Sequence, residues 1–196
     1  MKKLLPLAIT ILTSSYAATA NAEDSFYIGA LYNAQEISAD RDLNTAGIVA
    51  GYRYNQYFAL ETRLAKGTSG YSFYFETPQY DGGYEEDIDS QISLSIKASY
   101  PIFESFQVYG LVGFTKTELE INATGPRLNS EGDFFEVLPY GFTESESGLS
   151  YGIGLDYQIN EQFNIFIDYQ ILPDFEPQAN FSSSWKSTTI GFSYSF

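Results

Sequence analysis

The sequence has no cysteine and no histidine in its 196 residues. Without cysteine, the chain has no disulfide framework, no thiol chemistry and no zinc-finger-type site. Without histidine, Ser-His-Asp and Cys-His catalysis, His-ligated zinc and an imidazole pH switch are all excluded. We therefore expect a protein that is not an enzyme, that uses no cofactor and that has no metal site built from Cys or His.

Basic residues are also scarce: 10 Lys+Arg stand against 25 Asp+Glu, which gives a formal net charge of -15. Nucleic-acid binding needs Lys and Arg to neutralise phosphates, so a nucleic-acid partner is excluded. Aromatic residues, by contrast, are abundant, with 17 Tyr and 16 Phe. This content is far too high for a disordered acidic chain, and the length suits a single folded domain.

Long hydrophobic runs are missing too, apart from a short one at the N-terminus. A basic start at residues 2–3 precedes an apolar stretch at 4–12, and an Ala-Asn-Ala end follows at 20–22. This pattern predicts a secretory signal peptide over residues 1–22, because the apolar stretch is shorter than the roughly 20 residues of a transmembrane helix. The mature domain, residues 23–196, is then either soluble outside the inner membrane or crosses a membrane as strands.

Alternation of large apolar residues with small or polar ones is the strongest pattern in the mature chain. From Leu149 to Ile159 the odd positions are large and apolar, whereas the even positions are small or polar. A period of two places the two sets on opposite faces of a β-strand. The pattern occurs in eight segments: 26–33, 46–54, 58–65, 91–100, 106–119, 149–159, 163–171 and 189–196.

The connections between these segments alternate in length. Short ones lie at 55–56, 101–105 and 160–161, and long ones lie at 34–44, 67–88, 121–147 and 172–184. Antiparallel neighbours joined in this way form an up-and-down meander with all long connections at one end. We predict an all-β fold, an eight-stranded antiparallel up-and-down transmembrane β-barrel, in which residues 71–75 are able to extend a hairpin above the membrane.

The apolar face of such a barrel either fills a dry interior, as in a soluble lipocalin-like binder, or points outward into lipid. The outward orientation is favoured because the opposite face carries mostly Gly, Ser, Ala and Thr, which suit a narrow lumen. Charges within the strands also fall on that face, three positive and three negative: Arg53, Glu61, Arg63, Lys97, Asp156 and Asp168.

We predict that these six residues form a lumen charge network, since an unpaired buried charge is costly. Their pairings are left open. The alternatives are ordinary solvated charges on a soluble sheet, or an acidic dyad of Asp156 and Asp168 that acts in acid–base chemistry. Tyr and Phe crowd the strand ends near the short turns, which is typical of an aromatic girdle at a membrane interface.

Three segments are distinctive: FYIGA at 26–30, VYGLVG at 108–113 and TTIGFSYSF at 188–196. Together with the signal peptide, they make the mature chain resemble the small outer-membrane β-barrel proteins of the OmpA-transmembrane and OmpX type. The resemblance implies the outer membrane of a Gram-negative bacterium and contact with its lipid and lipopolysaccharide. It also implies a C-terminal signal that the barrel assembly machinery reads, formed by Ile190, Phe192, Tyr194 and Phe196.

The function is predicted from what such a barrel exposes, because an eight-stranded barrel is roughly filled by its own side chains. We expect a structural or surface-interaction role, with a possible extracellular ligand at acidic, aromatic loops. The loop aromatics are Tyr71, Phe73, Tyr74, Phe75, Tyr80, Tyr84, Phe134, Phe135, Tyr140 and Phe142. One alternative is a narrow channel for ions or small solutes through the polar lumen, and a weaker one is a soluble periplasmic lipocalin-like binder. A loose divalent-cation site at the acidic run 85–89 stays open, although the run lacks the EF-hand pattern.

Overall fold

The computed structural model describes residues 25–37, 41–76, 81–128, 134–178 and 181–196, so the predicted signal peptide lies outside the described residues. Within these residues, no helix is long and apolar enough to cross a membrane. The described chain forms nine strand segments: β1 (Ser25–Ile37), β2 (Arg41–Arg53), β3 (Phe58–Ser69), β4 (Tyr71–Glu76), β5 (Asp81–Phe103), β6 (Phe106–Leu128), β7 (Phe134–Gln158), β8 (Phe163–Gln178) and β9 (Phe181–Ser195).

The strands close into a barrel. Each strand pairs antiparallel with its neighbours in the order β3-β2-β1-β9-β8-β7-β6-β5, and β3 pairs with β5 to complete the ring. β3 and β4 run along the same partner, β5, and are separated only at Gly70, so the barrel has eight strands. Within the closed ring each strand has a partner on both sides, which a structure surrounded by hydrocarbon requires. The predicted eight-stranded antiparallel up-and-down barrel is confirmed.

Two of the three short turns share a sequence and a geometry. The side-chain Oδ1 of Asn55 accepts hydrogen bonds from the backbone N–H groups of Tyr57 and Phe58, both at 2.8 Å. Asn160 does the same for Gln162 and Phe163, at 2.9 and 2.8 Å. An asparagine that bonds its own backbone two and three residues on mimics a backbone turn, which explains why N-x-x-F reverses the chain at both places.

The predicted long connections at 67–88 and 121–147 are largely wrong, because strands occupy most of them. β6 and β7 stay paired from Phe106↔Tyr157 up to Leu128↔Phe134, and β4 pairs with the first part of β5. We call this outer part of the sheet, residues 71–76, 81–89, 118–128 and 134–146, the sheet extension. In this extension the outward positions of β6, such as Glu120 and Asn122, are polar, whereas Leu119 and Ile121 point inward and are buried. The apolar residues therefore change face beyond the membrane band, which hides the strand from a search for one continuous apolar face.

The two faces of the barrel wall differ as predicted. The outward side chains of the membrane band are large, apolar and exposed, such as Ile165 (43%), Ile167 (47%) and Phe192 (54%). The alternate positions point into the lumen and are buried, as Asp168 (2%) and Ser193 (4%) illustrate. The apolar face therefore lies outside the cylinder, and a lipocalin-like barrel with a dry apolar interior is excluded.

Candidate functional site

The lumen contains an ion cluster built on Arg63. Its Nε lies 2.7 Å from Oε1 of Glu61, and its Nη2 and Nη1 lie 2.7 and 3.2 Å from the two carboxylate oxygens of Asp168. All three side chains are buried. Glu61 and Arg63 are two positions apart on β3 and so share a face, whereas Asp168 reaches the guanidinium from β8. We call these three residues the buried triad.

Every carboxylate oxygen of the buried triad has a hydrogen-bond donor. The hydroxyl of Tyr27 donates to the second oxygen of Glu61 at 2.6 Å. The hydroxyl of Tyr109 donates to Asp168 at 2.8 Å, and Nε2 of Gln170 donates to its other oxygen at 2.7 Å. Each buried charge without a partner costs roughly several kcal/mol of stability. A buried ionic network is therefore compatible with a stable fold only when every charged group has hydrogen-bond partners, as here.

The remaining predicted lumen charges lie nearer the short turns. Nζ of Lys97 lies 2.8 Å from Oδ2 of Asp156 and 3.8 Å from the centre of the Tyr109 ring. Arg53 donates to the hydroxyl of Ser195 at 2.9 Å. Asp156 thus faces a lysine and Asp168 faces an arginine, so the geometry favours counter-charges over an acidic dyad.

Large apolar side chains in the lumen were not anticipated from the sequence, which led us to expect mainly small residues there. A first cluster on the short-turn side comprises Tyr27, Leu31, Val49, Ala59, Tyr109, Leu111 and Phe166. A second cluster lies towards the long-connection end and comprises Ile37, Leu43, Ile88, Leu119, Leu172 and Trp185. A signal for the first was present, since Tyr109 and Leu111 alternate out of step with the lipid-facing Val112. The second falls mainly on segments that the sequence pattern assigned to connections.

A layer of hydrogen-bonded amides and hydroxyls separates the two clusters. Nε2 of Gln35 donates to Gln91 at 2.9 Å, Gln91 donates to the hydroxyl of Thr117 at 2.9 Å, and the indole N–H of Trp185 donates to Gln35 at 2.8 Å. The void left beside Arg63 in this layer measures about 10 Å³, which is at most the room for one water molecule. In the described part of the chain, the lumen is therefore filled across its width between the two clusters.

A buried carboxylate lies at the outer mouth of the barrel. Glu86 is fully buried, and its Oε2 accepts from Arg41 at 2.8 Å and from the Tyr84 hydroxyl at 3.1 Å. Among the residues that the structure describes, none bonds to its Oε1. Glu86 lies beyond the lipid-facing band of β5, whose outermost apolar residue is Ile92. Burial, partly offset by Arg41, raises the pKa of Glu86 above its ordinary 4.5, and burial together with the Glu86 charge raises the pKa of Tyr84 to about 12.

The raised pKa of Glu86 predicts a pH-dependent stability term. Its favourable contribution is fully present below the unfolded pKa and is lost as the pH rises through the folded pKa, since only the protonated acid suits its burial. Glu86→Gln keeps an acceptor for Arg41 and removes this loss. We expect the wild type to lose stability relative to Glu86→Gln as the pH rises from about 4 to about 8. Urea unfolding of both variants across that range measures the difference.

The matched control for this measurement is Glu120→Gln, which removes one negative charge at an exposed position on the outer face of β6. The difference between this variant and the wild type should stay flat where that of Glu86→Gln changes. Parallel curves for Glu86→Gln and the wild type would contradict the prediction.

Among the described residues, no group of three or more Asp or Glu side chains is placed to hold a metal ion.

The predicted loop aromatics lie mainly on strands rather than in loops. Tyr71, Phe73, Tyr74 and Phe75 belong to β4, Tyr84 to β5, and Phe134, Phe135, Tyr140 and Phe142 to β7, whereas Tyr80 lies outside the described residues. Four of them are strongly exposed: Phe73 (54%), Tyr74 (66%), Tyr140 (58%) and Phe142 (43%). The rings of Tyr140 and Phe142 stack with centres 6.5 Å apart and planes 6° apart.

The C-terminal strand closes the barrel against β1. Tyr27 to Ile37 pair with Ser195 to Trp185, and the backbone N–H of Phe196 donates to Phe26 O at 2.9 Å. Ile190, Phe192 and Phe196 point outward and are exposed, and Tyr194 packs edge-on between Phe163 and Phe196. Tyr194 and Phe196 lie at the short-turn end of the outer surface, where an aromatic girdle is expected, and Ile190 and Phe192 lie in the apolar band above them.

A known protein family combines a closed barrel with an apolar outer surface, and this chain matches its model. Residues 5–196 match the family model described as outer membrane protein beta-barrel domain. The chain belongs to this family. It is therefore an outer-membrane barrel of a Gram-negative bacterium, and its apolar band lies in membrane lipid. Its short turns then face the periplasm, and the sheet extension lies outside the cell.

Solved structures show the same fold in other outer-membrane barrels. The attachment invasion locus protein Ail of Yersinia pestis is 17% identical, with 89% of this chain and 98% of that chain covered and a TM-score of 0.50. The N-terminal β-barrel domain of Pseudomonas aeruginosa OprF is 14% identical, with 89% and 100% covered and a TM-score of 0.51. Neisserial surface protein A is 16% identical, with 87% and 97% covered and a TM-score of 0.51. The comparison with curated proteins gave no match. At these identities the likeness concerns the fold alone.

Proposed function

We propose that this outer-membrane barrel is a non-enzymatic surface-interaction protein and that the sheet extension is its binding surface. The observation that carries the proposal is the continuous pairing of β4 to β7 beyond the membrane band, which holds exposed aromatic rings on a regular backbone. Aromatic side chains that are already fixed lose little entropy on binding and supply much of the energy of protein interfaces.

The filled lumen supports surface interaction over transport. The two apolar clusters and the buried triad fill successive parts of the interior along the barrel axis. A solute crossing the lumen would therefore have to displace several of these side chains. On the periplasmic side a recess of about 130 Å³ is lined by Arg53, Lys97 and Asp156 among others. A narrow channel is the second candidate function, and its support is the polar character of this recess.

The remaining partners follow from the membrane position. We propose that lipopolysaccharide surrounds the outer part of the barrel. We also propose that the barrel assembly machinery reads the C-terminal strand through Ile190, Phe192, Tyr194 and Phe196, whose outward rings and alkyl groups are accessible before the barrel closes.

The surface function is tested by adhesion of Gram-negative cells that produce the protein. We expect these cells to adhere to epithelial cells or to one another above a vector control. A variant with Phe73, Tyr74, Tyr140 and Phe142 changed to Ala should lose roughly tenfold or more of this adhesion, since interface aromatics are frequent hot spots. Phe103→Ala is the matched control, because Phe103 is equally exposed (70%) but lies at the periplasmic end.

Conductance in planar bilayers separates the two candidate functions. The filled lumen predicts that the purified wild type gives no reproducible single-channel steps. Steady steps whose size changes in Lys97→Ala, together with adhesion no higher than the vector control, would favour the channel instead.

A further inference from the structure

A hollow of about 200 Å³ opens on the outward face of the sheet extension. It lies between β4, β5, β6 and β7, where the sheet rises above the membrane band. Its polar and aromatic groups come from alternate positions of β4, β5 and β6, and two glycines, on β5 and β7, lie beneath the Tyr74 ring and the Asn122 amide. The residues that matter are Tyr74, Gly83, Glu85, Asn122, Thr124 and Gly141.

The two glycines allow the walls of the hollow to lie close to the backbone. A Cβ at Gly83 would come within 2.9 Å of the Tyr74 ring, and a Cβ at Gly141 would come within 2.7 Å of Oδ1 of Asn122. Tyr74 pairs directly with Gly83, and Asn122 with Gly141. Each glycine thus makes room for the side chain on the neighbouring strand, and the aromatic ring and the amide lie across the sheet.

The Tyr74 ring is both exposed and held in place. Two-thirds of its surface is accessible (66%), and its hydroxyl donates a hydrogen bond to the Glu85 carboxylate on the next strand. This bond raises the pKa of Tyr74 above its ordinary value. The ring is a rigid apolar plate that costs little entropy when a ligand packs on it.

The polar groups around the ring suit a ligand rich in hydroxyls. The Glu85 carboxylate accepts hydrogen bonds, the Asn122 amide both donates and accepts, and the Thr124 hydroxyl does either. Among the described residues, no Lys or Arg lines the hollow, and Glu85 adds a negative charge, so these residues disfavour an anionic ligand. An apolar plate flanked by a carboxylate, an amide and a hydroxyl is complementary to an uncharged sugar ring, which has one C–H face and hydroxyls at its edge.

We propose that the hollow binds a single neutral pyranose ring at the end of an oligosaccharide. The inference rests on the proposed surface function and names its ligand class. The hollow lies on the outward face of the sheet extension, beyond the apolar band, so the sugar comes either from lipopolysaccharide of the same cell or from a glycan of another cell. Both sources share the chemistry of an uncharged hydroxylated ring.

Ligand-observed saturation-transfer NMR on the full barrel in nanodiscs tests the proposal. The probes are lactose, maltose, methyl mannoside, the oligosaccharide released from the lipopolysaccharide of the producing strain, and a sulfated disaccharide. We expect transfer to at least one neutral probe and none to the sulfated one. Tyr74→Ala should weaken binding roughly tenfold or more, and Glu85→Gln should weaken it less.

The matched control is Phe103→Ala, which removes an equally exposed ring (70%) at the periplasmic end of β5, at the other end of the barrel from the hollow. It should leave sugar binding unchanged, and retained heat-modifiable mobility shows that each variant is folded. Transfer to the released oligosaccharide assigns the site to lipopolysaccharide, and transfer to the other neutral sugars only assigns it to another cell. Binding of the sulfated probe alone, no transfer to any neutral probe, or an unchanged Tyr74→Ala variant overturns the inference. Adhesion that needs the four aromatics would then still uphold the proposed function, whereas loss of both results would remove both.

Discussion

Arg63→Ala is expected to destabilise the barrel by about 3–5 kcal/mol, the largest effect of any single substitution proposed for this protein. The substitution leaves the carboxylates of Glu61 and Asp168 in the filled lumen without a cation. Tyr27, Tyr109 and Gln170 still donate to them, but neutral donors do not balance two negative charges at low dielectric. The cost therefore comes from what remains unpaired rather than from the lost contact alone.

The measurement is urea unfolding in lipid vesicles, followed by tryptophan fluorescence. Trp185 is the only tryptophan of the chain and is fully buried in the second apolar cluster of the lumen, so its fluorescence reports the loss of that cluster on unfolding. Lys66→Ala is the matched control: its ammonium is 77% exposed and lies 3.7 Å from Asp89, so its removal should cost about 0–1 kcal/mol.

A neutral replacement of the whole triad tests the cause. Combining Arg63→Met with Glu61→Gln and Asp168→Asn removes all three charges, so most of the stability lost in Arg63→Ala should return. If Arg63→Ala costs no more than Lys66→Ala, the triad is not the source of stability that its geometry indicates.

The sequence predicts which residues of the triad face inward but not how they pair. Parity along β3 and β8 places Glu61, Arg63 and Asp168 on the non-lipid face, and a strand pattern is enough for that. The 105-residue separation of Arg63 and Asp168 is bridged only when the ring closes and opposite walls come within side-chain reach. Local periodicity contains no information on which wall lies opposite which, so the pairings had to come from the structure.

The sequence pattern did not predict the sheet extension or the second apolar cluster of the lumen, for a related reason. Above the lipid the outward faces of β5 and β6 meet water, and the apolar residues, such as Ile88, Leu119 and Ile121, are buried on the inward face. The apolar set therefore changes face along the strand, so one continuous apolar face no longer marks it. In β5 the register also shifts between Ile88 and Ser90, which inverts the facing of every residue before it. If the alternation of β5 continued unchanged past Ile92, Glu86 would point outward, whereas in the structure it is buried at the mouth of the barrel.

The second large effect concerns the outer wall. Ile96→Arg is expected to destabilise the barrel by about 2–4 kcal/mol, because Ile96 lies at the middle of the lipid-facing band of β5, between Ile92 and Tyr100. Its directly paired neighbours are Leu60 and Val112, which are also exposed to lipid and offer no hydrogen-bond partner to a guanidinium. The same urea titration in lipid vesicles measures the loss.

Thr143→Arg is the matched control for the lipid-face charge. Thr143 is exposed on the sheet extension, outside the lipid, and pairs across the strands with Glu120, so an arginine there meets water and a carboxylate. Its stability should stay within about 0.5 kcal/mol of the wild type. Because both variants introduce the same side chain, the difference between their stabilities reports whether each position faces hydrocarbon or water. Equal effects at Ile96 and Thr143 would mean that the band around Ile96 does not face hydrocarbon, and the orientation of the whole barrel wall would have to be reversed.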